Sequence, residues 1–293
     1  MTRFYAFGCS YTYYSWPTWA DLVGMDYQHY ENWGIPGLGN RAIFERLVEC
    51  HAKNRFSEND LIIVQWSSHL RFDWLTQHSL KDRTSRWRTG GSIFTAQNQD
   101  IFDRHWQHLF FDEFAYVMHS LNYISAAQNL LENTGCQWYM TSIGDIRKLG
   151  FDLLGDEDYG EKITDQNWDR FPELHFFEDA IWSNHRDRWL EPIQTCCKPY
   201  KDRFYRFIDS KQTPIFDYHP SPWLFNRWIE KNLQNKGINT DSVAIELIVN
   251  SVEKLYDNVG LNKIRHDFDH RLQNGDFSKP EKMSWPNTYK GIH

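Results

Sequence analysis

Short apolar runs, each closed by glycine or a small polar residue, alternate along the chain with stretches whose apolar residues recur every three or four positions. RFYAFG (3–8) predicts a first strand that stops at Gly8. PTWADLVG (17–24) predicts a short helix with Pro17 in its first turn and Gly24 as its stop. YENWGIPGLGN (30–40) predicts a short strand running into a glycine-rich loop. NRAIFERLVECHAK (40–53) predicts an amphipathic helix capped by Asn40, with Ile43, Phe44, Leu47 and Val48 on one face. DLIIVQWSS (60–68) is a continuous apolar run, the pattern of a central parallel strand covered on both faces. A long helix over 111–135 ended by Gly135, a buried strand over 136–145, a short strand and loop over 213–223, and helices over 220–237 and 241–260 complete the series.

This alternation predicts an α/β fold with a five-stranded parallel sheet, strand order 2-1-3-4-5, and helices on both faces. Two regions interrupt it. Residues 75–110 are polar and irregular around KDRTSRWRTGGS, and 146–213 are loop-rich, with Trp168, Phe171, Phe176, Phe177 and Trp182 set in acidic sequence. The expected organisation is one α/β domain over 1–237 carrying these insertions, followed by a helix and a surface tail over 238–293. No internal repeat interrupts this plan.

Composition narrows the picture. A 293-residue chain with 41% hydrophobic residues can bury a sizeable core. The net charge of -7 argues against a duplex-binding face and so against a nucleic-acid partner. There is no run of 18 apolar residues to span a membrane and no signal-peptide pattern, which predicts a cytoplasmic or particle-associated protein. Cys9, Cys50, Cys136, Cys196 and Cys197 are irregularly placed and fit free thiols in a reducing compartment. The 14 Trp, 15 Tyr and 20 Phe read first as a core built on rings, and second as a surface for glycans or acyl chains. His266/His270 and His105/His108 have helical spacing, but with no third ligand evident they read as solvated faces; the Arg83/Arg86/Arg88 group beside Gly90–Gly91 has the charge to grip an anion but reads first as a mobile polar loop.

In an open α/β sheet, ligands sit outside the carboxyl ends of the strands. Ser10, Gly37 and the Asp217/His219 pair each follow a predicted strand and would share that edge. Serine becomes a nucleophile when a base, usually His oriented by a carboxylate, takes its proton. Ser10 as nucleophile, His219 as base, Asp217 as orienting acid and the Gly37 N–H as oxyanion donor make one consistent set. Each has a bland alternative: Ser10 as a turn cap, Asp217–His219 as a loop tie.

The order and context of these residues resemble the SGNH, or GDSL-like, hydrolases. Gly8-Cys9-Ser10 matches that family's Gly-Asp-Ser block, and NWGIPG matches Asn-x-Gly-x-x-Gly through Asn32, Gly34 and Gly37. DYHP matches its Asp-x-x-His-Pro block through Asp217, His219 and Pro220, with the acid two residues before the histidine instead of three. Where the third block carries an oxyanion asparagine, this chain has Ser67, Ser68, His69 and Leu70, so Ser68 or His69 would have to donate. The resemblance implies a flavodoxin-like three-layer α/β/α fold and hydrolysis of acyl esters on lipids or O-acetylated glycans, with no cofactor and no metal. The form with GCS, W-S and D-x-H-P-S resembles a variant seen among uncharacterised proteins of tailed bacteriophages. It implies virion or self-assembly partners, and leaves a non-catalytic structural or glycan-binding protein on the same fold as the alternative.

Overall fold

A computed structural model of the chain describes residues 3–14, 16–75, 87–92, 109, 113–146, 177–208, 214–238 and 240–259. In chain order these form β1 (Arg3–Phe7), α1 (Trp19–Gly24), β2 (His29–Asn32), α2 (Asn40–Asn54), β3 (Asp60–Trp66), β4 (Arg71–Leu75) and β5 (Trp87–Ser92). There follow α3 (Glu113–Glu132), β6 (Gln137–Ser142), α4 (Ile193–Cys197), β7 (Arg206–Ile208), β8 (Pro214–Phe216), α5 (Pro222–Asn232) and α6 (Ser242–Val259). The pairs His105/His108 and His266/His270, Arg83, Arg86, Trp168, Phe171, Phe176 and the tail after 259 lie outside the described residues.

Strands β2-β1-β3-β6, in that order, form a parallel sheet, so the fold is α/β. Phe4 pairs with Tyr30 on one side and Leu61 on the other, and Ile62 pairs with Trp138. β3 is buried along its whole length, as a strand with parallel neighbours on both sides requires. Alternation along β1 assigns the two helical layers. Phe4 meets Trp19 of α1, whereas Tyr5 and Phe7 meet Phe56, just beyond α2. α1 packs with α5 through Trp19 and Trp228, and α2 with α3 through Phe44 and Tyr123, so the two pairs cover opposite faces. Trp16, Trp19, Trp33, Trp66 and Trp228 are fully buried, which places much of the aromatic content in the core. All the cysteines are free and buried.

Among the described residues the parallel sheet has four strands, not five. The segment expected as the fifth, β8, pairs antiparallel with β7 instead, Arg206 opposite Phe216 and Ile208 opposite Pro214. Pro214 has no N–H to give a ladder, and three residues are a short basis for an edge strand. The free edge of β6 is taken by a piece of the 146–213 insertion. Trp189 bridges Met140 in parallel, the Leu190 N–H donates to the Met140 carbonyl at 2.8 Å, and the Thr141 hydroxyl donates to the Glu191 carbonyl at 3.0 Å.

Other expectations shift in detail. Part of the irregular 75–110 region is ordered as an antiparallel β4–β5 ribbon. α2 is capped by Gly39, and Asn40, now inside the helix, uses its side chain elsewhere. Ile43 and Leu47 face the core with Ala42, Arg46 and Cys50, but Val48 is exposed. Gly24 does not end α1 by a left-handed turn: a Cβ there would lie 2.5 Å from the Tyr30 ring, so it is a packing glycine. Gly135, at φ +71°, is the left-handed stop that the sequence predicts. α6 rests on α5 and buries Ile245, Val249 and Val252, and the Asp241 N–H donates to Asp26 Oδ2 at 2.6 Å.

Gly8, directly after β1, is the most tightly enclosed of the described glycines: a Cβ would sit 2.1 Å from Thr12 Oγ1 and 2.7 Å from Gln65 Oε1. Gly8→Ala is expected to lower stability by about 2–3 kcal/mol through overpacking. Gly237→Ala, with open space around it and only its φ of +69° against it, costs about 1 kcal/mol. Urea denaturation of the two variants, giving equal losses, would contradict this.

Candidate active site

The parallel sheet gathers the loops after β1, β2, β3 and β6 at one carboxyl edge. The loop after β1 folds at once into a tight turn. The Cys9 carbonyl accepts from the N–H groups of Thr12 at 2.9 Å and Tyr13 at 3.0 Å, which places Ser10 on the turn. Gln65, on neighbouring β3, fixes the turn from behind: its Oε1 accepts from the Cys9 N–H at 3.3 Å and the Thr12 hydroxyl at 3.1 Å. With no side chain, Gly8 leaves the room that the Thr12 and Gln65 side chains occupy. Ser10 is 4% exposed, and among the described residues nothing takes a hydrogen bond from its hydroxyl.

The loop after β2 is laced to the same turn. Asn32 Nδ2 donates to the Thr12 carbonyl at 2.8 Å, its Oδ1 accepts from the Gly34 N–H at 3.0 Å, and the Ile35 N–H donates to the Gly8 carbonyl at 3.2 Å. Gly34 has Thr12 3.0 Å from where a Cβ would stand. Beyond it, the Leu38 N–H closes onto the Ile35 carbonyl at 3.2 Å, with Pro36 and Gly37 between them and Gly37 at φ +84°. This is the signature of a type II turn, in which the third residue needs the left-handed region that glycine enters freely.

The end of β3 is held by Asn40, whose Oδ1 accepts from the Ser67 N–H at 2.8 Å and whose Nδ2 donates to the Ser67 carbonyl at 3.2 Å and Ser120 Oγ at 3.0 Å. Ser68 is buried and its hydroxyl accepts from the Leu70 N–H at 3.2 Å; His69 is half-buried. Behind them Asp73, 2% exposed, accepts from the N–H of Gly39 at 2.8 Å and lies near that of Ala42, at the start of α2. Burial pushes its carboxyl up to about 7, against the pull of those N–H groups and of Arg71 and Arg41.

Asp217 and His219 are in direct contact. His219 Nδ1 lies 2.6 Å from Asp217 Oδ1, and the same oxygen accepts from the His219 N–H at 3.1 Å. The short spacing of acid and base is thus compatible with their hydrogen bond. Burial alone raises Asp217, but the hydrogen bonds and charge of His219 and the Tyr14 hydroxyl outweigh it and hold the carboxyl below its ordinary value.

This loop reaches the sheet edge through the aromatic residues that follow Ser10. Tyr11 Oη donates to the Tyr218 carbonyl at 2.7 Å, Tyr14 Oη to Asp217 Oδ2 at 2.8 Å, and Trp16 Nε1 to the Pro220 carbonyl at 2.9 Å. The Tyr14 ring also lies flat on the His219 ring, with centroids 3.7 Å apart and planes 16° from parallel. Gln194 Nε2, from α4, completes the set by donating to Tyr11 Oη at 3.0 Å. The structure therefore joins Asp217 to His219 and both to the turn that carries Ser10, and it sets Gly37, Ser68 and His69 on adjoining loops. Tyr11, Tyr14, Trp16, Gln65 and Gln194 were not singled out in the sequence. The signal lay in YTYYSW (11–16), a run of aromatics that each carry a hydrogen-bond donor. Among the described residues no group of three or more His, Cys, Asp or Glu could hold a metal ion, and no helix is long and apolar enough to cross a membrane.

The chain matches no family model and no curated protein sequence. Among solved structures, it is similar to a member of the lipolytic protein G-D-S-L family from Veillonella parvula DSM 2008. The two are 12% identical with a TM-score of 0.42, over 80% of this chain and 97% of the other.

Asp73 sets a pH dependence of stability. Its folded-state pKa, about 7, lies above the ordinary 3.8, so between these values the folded protein holds a proton that the unfolded chain has released. Its contribution is therefore favourable at low pH and is lost as pH rises from about 4 through 7. Asp73→Asn keeps an acceptor for the Gly39 N–H without the charge. It is expected to be more stable than wild type at pH 8, by about 1–3 kcal/mol, and to lose that advantage at pH 5. Denaturant midpoints at the two pH values read this directly, and an advantage independent of pH would refute it.

Proposed function

We propose that the protein is a serine ester hydrolase in which Ser10 is the nucleophile, His219 the general base and Asp217 the orienting acid. The observation that carries this reading is the 2.6 Å contact between Asp217 Oδ1 and His219 Nδ1. With Nδ1 engaged there, Nε2 is the nitrogen that takes the Ser10 proton in this reading. The loop bearing this pair is tied by Tyr11, Tyr14 and Trp16 to the chain that begins with Ser10.

In this reading His219 takes the Ser10 proton as Oγ attacks an acyl carbonyl, and returns it to the departing alkoxide. Water, activated by the same imidazole, then releases the acyl group from Ser10. The Ser10 and Gly37 N–H groups stabilise the oxyanion, and Ser68 or His69 stands where the resemblance expects a further donor. The match of Gly8-Cys9-Ser10, Asn32-x-Gly34-x-x-Gly37 and Asp217-x-His219-Pro220 to the SGNH pattern, now seated on a three-layer α/β arrangement, supports acyl esters as the substrate class, O-acetylated glycans and lipids included.

Purified wild-type protein is expected to hydrolyse short-chain aryl esters, with Ser10→Ala reducing kcat by at least about 10³. The rate should fall as the imidazole becomes protonated at low pH, because His219 then has no lone pair for the serine proton. His69→Ala and Ser68→Ala identify the third donor: the one that serves loses on the order of 10² in kcat with KM little changed. Equal rates for wild type and Ser10→Ala, across several acyl lengths and acetylated sugars, would overturn the hydrolase reading. A non-catalytic role on the same fold, as a glycan-binding or virion component, would replace it.

A further inference from the structure

Asp217 stands two residues before His219, and one oxygen, Oδ1, serves both the imidazole and the His219 N–H. Its other oxygen accepts from Tyr14 Oη at 2.8 Å, and the Tyr14 ring is stacked on the imidazole at 3.7 Å. One side chain, four residues after Ser10, thus touches both members of the pair. We propose that Tyr14 is a positioning residue for the Asp217–His219 pair, its hydroxyl fixing the carboxylate and its ring face fixing the imidazole plane and favouring the imidazolium that forms as Ser10 attacks. This rests on the catalytic reading of Ser10, His219 and Asp217 given above.

The geometry explains why such a clamp is needed. An acid and a base two residues apart share one short loop, and that loop is not a rung of the parallel sheet. Nothing in the backbone alone stops the imidazole from rotating about its side-chain bonds. A flat contact with a second ring removes that rotation, and a tyrosine face is electron-rich, so it attracts a ring that gains positive charge. Tyr11 stands on a different side, its ring 5.5 Å from His219 and tilted by 49°, with its hydroxyl committed to the Tyr218 carbonyl. Among the described residues, the titratable groups Asp217, Tyr14 and Tyr11 face the imidazole.

The two contacts act on His219 with opposite sign. The Tyr14 hydroxyl draws charge from Asp217 and so lowers the proton affinity of the imidazole, whereas the ring face raises it. A merely structural tyrosine would not separate them. The test is NMR titration of the His219 ring in Tyr14→Phe and Tyr14→Leu, each made in a Ser10→Ala background so that the readout does not depend on turnover. Tyr14→Phe, which keeps the ring and loses the hydroxyl, should raise the His219 midpoint by about half a unit; Tyr14→Leu should bring it back down by a similar amount. With Ser10 restored, Tyr14→Leu should lose about tenfold in kcat with KM little changed, and Tyr14→Phe should recover part of the loss. Midpoints within about 0.1 unit of the parent for a folded Tyr14→Phe protein would overturn the proposal, and that variant decides alone if Tyr14→Leu does not fold. Should Ser10→Ala hydrolyse esters as fast as wild type, the hydrolase reading fails by itself, and the titration still reports whether Tyr14 governs the pair.

Discussion

The site depends on hydrogen bonds from the aromatic residues of one loop to the backbone and carboxylate of another. Tyr11, Tyr14 and Trp16 each send a polar tip across to residues 217–220, while their rings stay in or against the core. A buried phenol or indole usually finds an acceptor, and for these three the acceptors all belong to the Asp217–His219 loop. The constraint works in both directions. It satisfies polar atoms that would otherwise be stranded in the core, and it places an imidazole that no sheet strand positions. Burial pushes the Tyr11 hydroxyl far above its ordinary range, so it remains a donor at any pH the protein meets.

A second layer of polar side chains keeps the receiving edge rigid. Gln65 joins β3 to the Ser10 turn, Asn32 joins the end of β2 to the same turn, and Asn40 joins α2 to the end of β3. Each is nearly inaccessible to solvent and uses both ends of its amide. Such networks strengthen in a low-dielectric interior when every member is partnered. They give the edge a defined shape without help from the ligand, which suits donors that must already point at the place where charge develops.

Much of this was legible in the sequence. The alternation of apolar runs with amphipathic stretches gave the α/β class, the order β2-β1-β3-β6, and α2, α3 and α5 to within a few residues. Local chemistry marked Gly8, Ser10 and Gly37, and the resemblance to the SGNH pattern added Asn32 and Gly34. What the sequence hid were choices between competing tertiary partners. PIF at 214–216 has strand character, but whether it joins the sheet or a ribbon depends on which segment takes the β6 edge, and nothing local to those residues decides it. Asn40 has the composition of a helix cap, yet the end of β3 offered its amide a better use one position further in. Val48 fits the helical stripe by spacing, but α3 covers only part of it. Tyr14 passed unnoticed because an aromatic beside a turn looks the same in a sequence whether it fills the core or clamps a site.

The segment that bridges Met140 has a consequence for how the chain can change. Residues 189–194 belong to what reads as an insertion, yet they supply the rung that shields the outer edge of β6, and the Gln194 N–H closes the loop after that strand. Excising them would leave a bare parallel edge, open to pairing with another molecule, and would also take away the amide that steadies Tyr11. The region is therefore not a detachable ornament: shortening it during evolution or engineering has to preserve this stretch, and with it Ile181, whose carbonyl accepts from Gln128 and Trp189.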